Sequence, residues 1–389
     1  MKRKFKTGLL ARIVIGIILG IAAGSFMPLW AVRIMATFDG VFSQLLSFLI
    51  PLIIVGFVAP AIADIGRRAG AMLVVTALLA YGATLCSGFI SYFTGALCFP
   101  SMITPVDGSA AMRDFSGVEP YFSMSIPAVM PVMTALVLSF MLGLGVAMVN
   151  GDALRRGLIE FRDVVSLTIV KVIIPLLPVY IFGIFMCMTY TGDVAVILTS
   201  FVKIIGVIFL LHVGILLLQY GVAAFFNGKN PLKMLWTMMP AYFTALGTQS
   251  SAATIPVTLR QAQLMGVSKD VAGFVVPLCA TIHMSGSTLK IVACALAIMI
   301  MQGIPYSAGL FAEFIAMLGI TIIAAPGIPG GAIMASLGLL SSILGFTDAQ
   351  NAMMIALYIA MDSFGTACNV TGDGALAVIV DRFFGKKSR

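Results

Sequence analysis

Apolar runs of about 20 residues recur along the whole chain, and this repetition limits its fold more than any other feature. The chain has 389 residues, of which 60% are hydrophobic and only 10% are charged, and its mean hydropathy is +1.10. A soluble domain of this size needs far more charged side chains to cover its surface. The sequence therefore predicts an all-α polytopic membrane protein with almost no soluble domain.

The basic residues predict how the chain lies in the bilayer. If the apolar helices alternate in direction, 17 of the 23 Lys and Arg residues fall on one side. Because basic loops stay in the cytoplasm, both termini are predicted to be cytoplasmic, in a plasma (inner) membrane of bacterial type. The net charge of +8 is thus an orientation signal, and no nucleic-acid partner is predicted. The first six predicted helices span about 9–32, 41–64, 70–99, 128–149, 153–190 and 194–226.

Two segments in the second half of the chain are predicted to enter the membrane without crossing it. In 229–266, the small polar stretch Gly247–Thr254 separates two apolar arms. Each arm has about a dozen residues, or roughly 18 Å of helix, which is short of a 30 Å hydrocarbon core. In 305–345, the stretch 324–331 holds two prolines and three glycines and cannot stay helical. We interpret both as re-entrant hairpins with buried tips. The alternative, two complete spans in each segment, returns the chain to the same side and stays open.

A long helix follows each hairpin, at about 268–302 and at about 348–384. The hairpin-and-helix unit therefore occurs twice. The charges place the ends of the first hairpin inside and those of the second outside, which makes the two units an inverted repeat. Broken helices at corresponding positions of inverted repeats indicate a substrate site near the middle of the membrane.

The last helix carries a stripe of polar side chains in an apolar stretch. Asp362, Thr366, Asn369 and Asp373 are spaced i, i+4, i+7 and i+11. On a helix these positions fall within roughly 60° of one another. Carboxylates at membrane depth are costly and normally face a cavity or an ion path. We therefore predict that this stripe is the centre of the functional site.

The helix at 268–302 is interrupted by the polar stretch Ala280–Ser287, which includes a histidine, two serines and a glycine. A local break there would free backbone carbonyl oxygens in the membrane. Such oxygens are good ligands for a hard, weakly hydrated cation such as Na⁺.

Five short motifs, in the same order along the chain, resemble those of the dicarboxylate/amino acid:cation symporters, the family with the glutamate-transporter fold. Together they cover nearly the whole chain, and five motifs in the right order are far more specific than any one of them. They are Ile65–Gly70 (IGRRAG), Ser250–Thr258 (SSAATIPVT), Pro277–Ile282 (PLCATI), Gly327–Gly330 (GIPG) and Asn369–Asp373 (NVTGD).

The resemblance implies a fold of eight transmembrane helices plus two re-entrant hairpins. It implies a homotrimer in which a transport core, residues 227–389, slides past a fixed scaffold. The six helices of residues 1–226 would form mainly this scaffold and add part of the transport domain. The implied activity is amino-acid uptake driven by a cation, with no cofactor other than the coupling ion, Na⁺ or H⁺.

The resemblance also implies roles for individual residues. Asp362 falls where the family binds the substrate amino group, Ser251 where it contacts the substrate carboxylate, and Asp373 on a Na⁺ ligand. The implied substrate-binding residues are Ser250, Ser251, Gly327, Ile328, Pro329, Gly330, Asp362, Gly365, Thr366 and Asn369. The implied ion-binding residues are Asp373, Asn369, Cys279, His283, Thr281 and Met284.

Departures from the family pattern narrow the predicted substrate. Members with acidic substrates carry an arginine four residues before the asparagine, where this chain has Gly365. A buried charge left without its partner costs about 2–5 kcal/mol, which disfavours a substrate with a side-chain carboxylate. Asp362 disfavours pure dicarboxylates, which have no amino group. We therefore predict a small neutral amino acid such as Ser, Thr or Ala, and the pattern around Asp362 also resembles the serine/threonine branch of the family.

The coupling ion is less determined by the sequence. The family's NMDGT motif is His283–Ser287 in this chain, and the missing aspartate puts one of the family's Na⁺ sites in doubt. Lys290 either pairs with Asp362 or Asp373, or replaces a bound cation or carries protons. His283 is either a structural hydrogen-bonding residue or a proton relay, and Ser285 is a further candidate for coupling.

Three other functions were weighed against symport of a neutral amino acid with Na⁺. A symporter coupled to protons, or one for acidic amino acids or dicarboxylates, uses the same fold. An anion-conducting channel would also explain polar residues in the membrane, but it needs no pair of tips converging on one acidic and amide face. Ser250, Ser251 and His283 could suggest a hydrolase, but the chain has no GxSxG or HExxH motif, so no enzyme is predicted.

Overall fold

The computed structural model describes residues 9–67, 70–103, 118–149, 152–192, 194–323 and 330–385, and within these ranges the ordered elements are all helices. A short π-helical stretch, Ile169–Ile173, joins the fifth and sixth α-helices. The α-helices are α1 Leu9–Phe26, α2 Leu29–Arg67, α3 Ala71–Met102, α4 Val132–Met148, α5 Ala153–Thr168, α6 Ile174–Thr191, α7 Val194–Asn227, α8 Pro231–Thr248, α9 Ser251–Leu264, α10 Lys269–Ile282, α11 Ser285–Met301, α12 Ala308–Ile323, α13 Gly331–Ser342, α14 Asp348–Ala360 and α15 Asp362–Phe384.

Large apolar side chains cover the outside of the molecule. Leu97, Met148 and Phe225 are 82%, 84% and 84% exposed, and many Val, Leu and Phe side chains on other helices are also exposed. A water-soluble protein rarely exposes contiguous apolar surface on this scale. In a bilayer the same side chains face lipid, so this surface agrees with the predicted membrane protein.

The length and hydropathy of the helices identify five of the described ones as able to cross a membrane, or six if the bent pair α14 and α15 counts as one span. The five are Leu29–Ala63, Ala71–Met102, Ala153–Thr191, Leu198–Asn227 and Lys269–Met301. The predicted total of eight spans is not tested by this criterion and stays a prediction.

Helix α2 runs without interruption for 39 residues, whereas the sequence suggested one helix to about residue 32 and another from about 41. The chain breaks instead just before α2, at Met27 and Pro28. Pro51 and Pro60 lie inside α2 and do not end it. Prolines are tolerated in membrane helices because neighbouring groups satisfy the freed backbone.

Helix α1 packs closely against α6 through three glycines. A Cβ atom added at Gly16 or Gly20 would lie 2.7 or 2.5 Å from the carbonyl oxygen of Pro178 or Phe182, and one at Gly24 would overlap the carbonyl oxygen of Met186. Small residues at every fourth position let two helix backbones approach each other in a membrane. The α1–α6 contact therefore depends on the absence of side chains at these positions.

The first predicted hairpin corresponds to α8 and α9, which pack against each other. They are joined at Gln249, whose φ of 54° is left-handed, and at Ser250, whose hydroxyl caps α9 by accepting from the Ala253 N–H at 3.3 Å. Helix α9 has 14 residues, or about 21 Å, which is shorter than a bilayer core. This length favours re-entry over a complete span.

The second predicted hairpin corresponds to α12 and α13, of 16 and 12 residues, which also pack against each other. Most of its predicted tip, 324–329, lies outside the described residues. The described part of the tip ends at Gly330, whose φ of 76° requires glycine, and α13 begins at the next residue.

Both long helices of the second half are broken. The predicted break at the polar stretch is confirmed: α10 ends at Ile282, and α11 begins at Ser285. A second break, which the sequence did not predict, separates α14 from α15 at Met361 with a bend of 62°. The two breaks bring four helix ends into the protein interior.

Helices α11 and α15 form the centre of the second half. Every residue of α11 is buried, and α15 is buried from Asp362 to Val380 except for the half-buried Phe364. They are packed against each other and against helices that include α3, α7 and α10. Polar side chains on these two helices are therefore removed from lipid and can form a site.

Candidate substrate and ion site

The four predicted stripe residues of α15 are all buried: Asp362, Thr366, Asn369 and Asp373 are 5%, 8%, 3% and 1% exposed. They face the broken end of α11 and the tips of the hairpins, not the outside of the molecule. This placement agrees with the prediction that the stripe faces a cavity. We call the part of the site at Asp362 its upper part and the part at Asp373 its lower part.

Asn369 caps the beginning of α11. Its Oδ1 atom accepts from the backbone N–H groups of Gly286 at 2.8 Å and Ser287 at 3.3 Å. Its Nδ2 group donates to the Ser287 hydroxyl at 3.0 Å, which also accepts from the Tyr358 hydroxyl at 3.1 Å. The first N–H groups of a helix need such partners when they are buried. Asn369 therefore stabilises the break in addition to any ligand it binds.

Asp362 is held from two sides. The Gly330 N–H at the second hairpin donates to Oδ2 at 2.8 Å, and Lys290 Nζ of α11 lies 3.5 Å from Oδ1. Lys290 is fully buried, donates to the Met361 carbonyl at 3.2 Å and lies 3.7 Å from the centroid of the Tyr358 ring. A buried ammonium group is stabilised by such a carboxylate, a freed carbonyl and an aromatic face.

Gly365 leaves the space that the Lys290 side chain occupies. A Cβ atom added at Gly365 would lie 2.5 Å from Lys290 Nζ and would overlap Cε. A larger side chain at this position therefore cannot coexist with Lys290 in its present conformation. In the sequence, Gly365 stood out because it lacks the family's arginine. In the structure, the side chain of Lys290 from another helix lies over this glycine.

In the lower part of the site, His283 Nδ1 lies 2.9 Å from Asp373 Oδ1. Gln219 of α7 donates from Nε2 to the Ser285 hydroxyl at 3.1 Å and to His283 Nε2 at 3.4 Å. If Nε2 of His283 accepts from the amide, Nδ1 carries the proton and donates to Asp373. The hydrogen-bond network thus assigns the tautomer with the proton on Nδ1 to His283. It connects the His283 ring to the Asp373 carboxylate and to the Gln219 amide.

The atoms around Asp373 suit a hard cation better than a transition metal. Gln219 Oε1 is buried and has no hydrogen-bond partner in the described part of the chain. A Cβ atom at Gly372 would lie 2.5 Å from Gln219 Oε1, which places this oxygen against the same turn of α15. A carboxylate with neutral oxygens is the ligand class of Na⁺ and similar ions. The residues present therefore fit a Na⁺ ion.

The other predicted ion ligands have different environments. Met284 lies in the break and lines the small cavity described below. Cys279 is buried, and its carbonyl oxygen accepts from the His283 N–H at 2.8 Å. Thr281 is exposed, and its hydroxyl donates to the Leu278 carbonyl. The structure thus brings His283 and Asp373 together but leaves the Thr281 hydroxyl outside this network.

A cavity of about 40 Å³ lies between the two parts of the site. This volume is enough for roughly one or two water molecules, so the cavity must widen before it can take an amino acid. The first hairpin contributes Gln249 and Ser251, and Gln249 Nε2 also donates to the Ser363 hydroxyl at 3.1 Å. The lining residues are Gln249, Ser251, Ala280, Met284, Ser287, Ala332, Tyr358, Asp362, Thr366 and Asn369.

Of the predicted hairpin residues, Ser250 caps α9 and Ser251 reaches the cavity. Gly330 reaches Asp362, while Gly327, Ile328 and Pro329 lie outside the described residues. Thr366 donates its hydroxyl to the Asp362 carbonyl at 3.0 Å. The site residues that sequence analysis missed are Gln219, Gln249, Tyr358 and the Met361 carbonyl. Two of them had a signal: Gln219 is an amide in a mainly apolar helix, and Gln249 lies in the polar stretch Gly247–Thr254.

The fold and the site together describe a helical membrane protein with a buried, charged region between two helical hairpins. Comparison with known proteins agrees: residues 9–383 match the Sodium:dicarboxylate symporter family, and the chain belongs to this family. The resemblance found in the sequence and the predicted glutamate-transporter fold are thus confirmed. Members of this family are transporters, which confirms the prediction that the chain is not an enzyme.

Several curated proteins are similar to the chain. The C4-dicarboxylate transport protein of Bordetella avium is 24% identical over 99% of this chain and 91% of its own length. The serine/threonine transporter SstT of Acinetobacter baumannii is 26% identical over 97% of each chain. Excitatory amino acid transporter 2 of Mus musculus is 29% identical over 63% of this chain. The match spans only 44% of the length of the mouse and rat proteins.

Proposed function

We propose that the protein is a secondary active symporter that takes up a small neutral amino acid, such as Ser, Thr or Ala, together with Na⁺. The observation that carries this proposal is the buried pair of Asp362 and Lys290, 3.5 Å apart, of which Asp362 lines the cavity. A zwitterion has the same two charges with opposite signs, so its amino group complements Asp362 and its carboxylate complements Lys290. Such an exchange leaves no buried charge without a partner.

The size and polarity of the cavity support a small substrate. Ala280, Ala332, Ser287 and Thr366 line it, so the space beside the charged pair is bordered by short side chains. The Ser287 and Thr366 hydroxyls offer hydrogen bonds to a hydroxylated substrate. A site that hydrogen-bonds a hydroxyl group selects against a larger apolar side chain.

Asp373 is the proposed centre of the ion site, with Gln219 as a neutral oxygen ligand and His283 as the residue that orients the carboxylate. A Na⁺ ion at this position would supply positive charge beneath the substrate site. Because Asn369 joins α15 to the beginning of α11, binding at Asp373 and at Asp362 both act on the same helix ends. This connection supports coupling of ion and substrate through the breaks.

A second candidate, uptake of an acidic amino acid or a dicarboxylate, is favoured by one observation. Lys290 Nζ lies where a side chain on Gly365 would begin, so this chain has a cation close to the position of the family's arginine. If Lys290 stays in place when Asp362 binds an amino group, it can receive a second carboxylate. Proton coupling in place of Na⁺ is the corresponding alternative for the ion.

The proposed movement is an elevator in a homotrimer, in which the core of residues 227–389 moves past a scaffold made mainly by residues 1–226. Support comes from the burial of α11 and α15, which keeps the site inside the protein while it crosses the bilayer. The termini are proposed to be cytoplasmic, in the inner membrane of a bacterial-type cell.

Uptake into liposomes tests this proposal. Purified protein is assayed with radiolabelled Ser, Thr, Ala, Asp, Glu and succinate under a Na⁺ gradient and, separately, under a proton gradient. We expect uptake of Ser, Thr or Ala driven by Na⁺, lost in Asp362→Asn and kept in Asp163→Asn. Asp163 is a matched control because its side chain is 64% exposed, whereas the site residues are buried, and because it lies far from them in the sequence. Uptake of succinate alone, or unchanged uptake by Asp362→Asn, would refute the substrate assignment.

A further inference from the structure

A second and larger cavity, of about 570 Å³, lies between helices of the two halves of the chain. One wall is formed by α2 and α6, and the opposite wall by the end of the second hairpin and the beginning of α14. The cavity shares no lining residue with the substrate site. Its polar lining residues are Asp39, Ser43, Ser47, Tyr180, Ser341, Thr347 and Asp348.

Asp39 is the unusual residue of this cavity. It is 6% exposed, and neither of its carboxylate oxygens has a hydrogen-bond partner among the described residues. Arg33, a cation on the same helix, is engaged elsewhere. Its Nε group donates to the Glu119 carbonyl at 2.9 Å, and its guanidinium lies 4.6 Å from the centroid of the Tyr121 ring. A buried, ionised carboxylate without a counter-charge is strongly unfavourable, so in its ionised form this side chain needs a partner that is not part of the described chain.

The carboxylate is also held in a defined place. It packs directly against Gly183 of α6, where an added Cβ atom would lie 2.5 Å from Oδ1. A glycine at this position gives room for the two carboxylate oxygens beside the α6 backbone. Asp39 is thus fitted between two helices at the cavity wall.

The oxygen atoms near Asp39 belong to one ligand class. Ser43 and Ser47 follow it along α2, and Thr347 and Asp348 face it from the other wall. The Tyr180 hydroxyl lies between the walls and donates to the Asp348 carbonyl at 3.4 Å. Carboxylate, hydroxyl and water oxygens are the preferred ligands of hard metal cations, and the volume leaves space for several waters on the ion.

We propose that this cavity binds a hard metal cation at Asp39, separate from the ion site at Asp373. The ion supplies the charge that the buried carboxylate lacks, and hydroxyls and waters complete its coordination. Because the walls belong to α2 and α6 on one side and to the second hairpin and α14 on the other, the bound ion connects the two halves. If the core moves as in the proposed elevator movement, the bound ion would hold it in its present position and slow transport. This last point rests on the proposed function.

The direct test is ion binding by the full-length protein. The purified transporter in detergent is dialysed to equilibrium against ⁴⁵Ca²⁺ or ²²Na⁺, in separate arms and without amino acid, to distinguish a divalent from a monovalent occupant. We expect Asp39→Asn to bind one ion fewer per chain than the wild type in at least one arm. Asp163→Asn, which makes the same change at an exposed position, should keep this ion.

Equal binding of both ions by the wild type and Asp39→Asn would overturn the proposal, as would an equal loss in Asp163→Asn. If Asp39→Asn does not fold, Ser43→Ala tests the site, because it removes a hydroxyl one helical turn from Asp39 and keeps the carboxylate. We expect this variant to bind the ion at least fivefold more weakly, and an unchanged affinity would overturn the proposal. Because no amino acid is present, a negative result leaves the proposed substrate site untouched.

Discussion

At the level of single residues, the pair of Asp362 and Lys290 determines the chemistry of the proposed substrate site. The sequence predicted Asp362 from its place in the polar stripe and offered Asp362 or Asp373 as the partner of Lys290. It could not choose between them, because the choice depends on how α11 and α15 are rotated against each other. It also could not place Lys290 over Gly365, since residues 75 positions apart in the chain make contact only through packing.

The two charges should depend on each other for stability. Lys290→Met leaves Asp362 buried without its cation, and a broken buried pair costs about 3–5 kcal/mol. We expect a clear loss of thermal stability in detergent for Lys290→Met. Adding Asp362→Asn removes the uncompensated charge, so the double variant should recover most of that loss without recovering uptake. A double variant no more stable than Lys290→Met would mean that the two charges do not interact.

Gly365 should be intolerant of any side chain while Lys290 is present. We expect Gly365→Ala to lower uptake at least tenfold in liposomes, because its Cβ atom displaces Lys290 from Asp362. Gly273→Ala is the matched control, since a Cβ atom there meets nothing within 4 Å. Gly365→Arg together with Lys290→Ala should give measurable uptake of aspartate or glutamate, which Gly365→Arg alone should not. Equal uptake by Gly365→Ala and Gly273→Ala would contradict this role.

At the level of elements, the helix breaks create the site. The break before α11 was predictable, because a polar stretch with glycine and serines interrupts an apolar helix. The bend at Met361 was not, since neither Pro nor Gly is at that position. It is stabilised by contacts from other elements: Lys290 donates to the Met361 carbonyl, and the Gly330 N–H donates to Asp362. Local sequence patterns do not contain such contacts.

Asn369 should matter for the stability of the first break as well as for transport. Asn369→Ala leaves the buried N–H groups of Gly286 and Ser287 without their acceptor, and losing a helix cap costs about 0.5–2 kcal/mol. Asn369→Asp keeps an acceptor oxygen at the same helix end, where negative charge is favourable. We therefore expect thermal unfolding of Asn369→Ala at a lower temperature than that of Asn369→Asp. The reverse order would show that the amide acts mainly on a ligand.

The contact between α1 and α6 should be the most sensitive to added volume. Gly20→Val places a side chain against the Phe182 carbonyl and should prevent close packing, with a large loss of folded protein after detergent extraction. Gly214→Val is the control, because a Cβ atom at Gly214 has no neighbour within 4 Å. Similar yields of monodisperse protein for the two variants would contradict the packing role. The glycines at every fourth position were visible in the sequence, but their partner helix was not.

For the whole molecule, composition and charge predicted the class of protein, and the order of the motifs predicted the family. The two hairpin-and-helix units follow the predicted boundaries closely, with α8 to α11 and α12 to α15 as their counterparts. The uninterrupted α2 differed from the prediction of two helices, because the stretch 33–40, which was predicted to separate them, is itself helical. The Asp39 cavity could not be predicted, since its walls come from distant parts of the chain.

The orientation in the membrane gives a further prediction. Glu119 is predicted to lie on the side with few basic residues, and Gly157 follows Arg155 and Arg156 of α5 in the sequence. Glu119→Cys should react with a membrane-impermeant maleimide on intact cells, while Gly157→Cys should react only after the cells are made permeable. Both variants need a background in which native Cys86 and Cys98 are replaced. Labelling of Gly157→Cys in intact cells would reverse the predicted topology.

The central claim is that the buried carboxylate of Asp362 binds the amino group of the substrate. The most direct measurement is equilibrium binding to the purified protein in Na⁺ buffer of alanine, of propionate, which lacks the amino group, and of succinate. We predict that alanine binds to the wild type and that propionate and succinate do not, with alanine binding lost in Asp362→Asn and retained in Asp163→Asn. Binding of succinate or propionate as tight as that of alanine, or alanine binding unchanged in Asp362→Asn, would contradict the account.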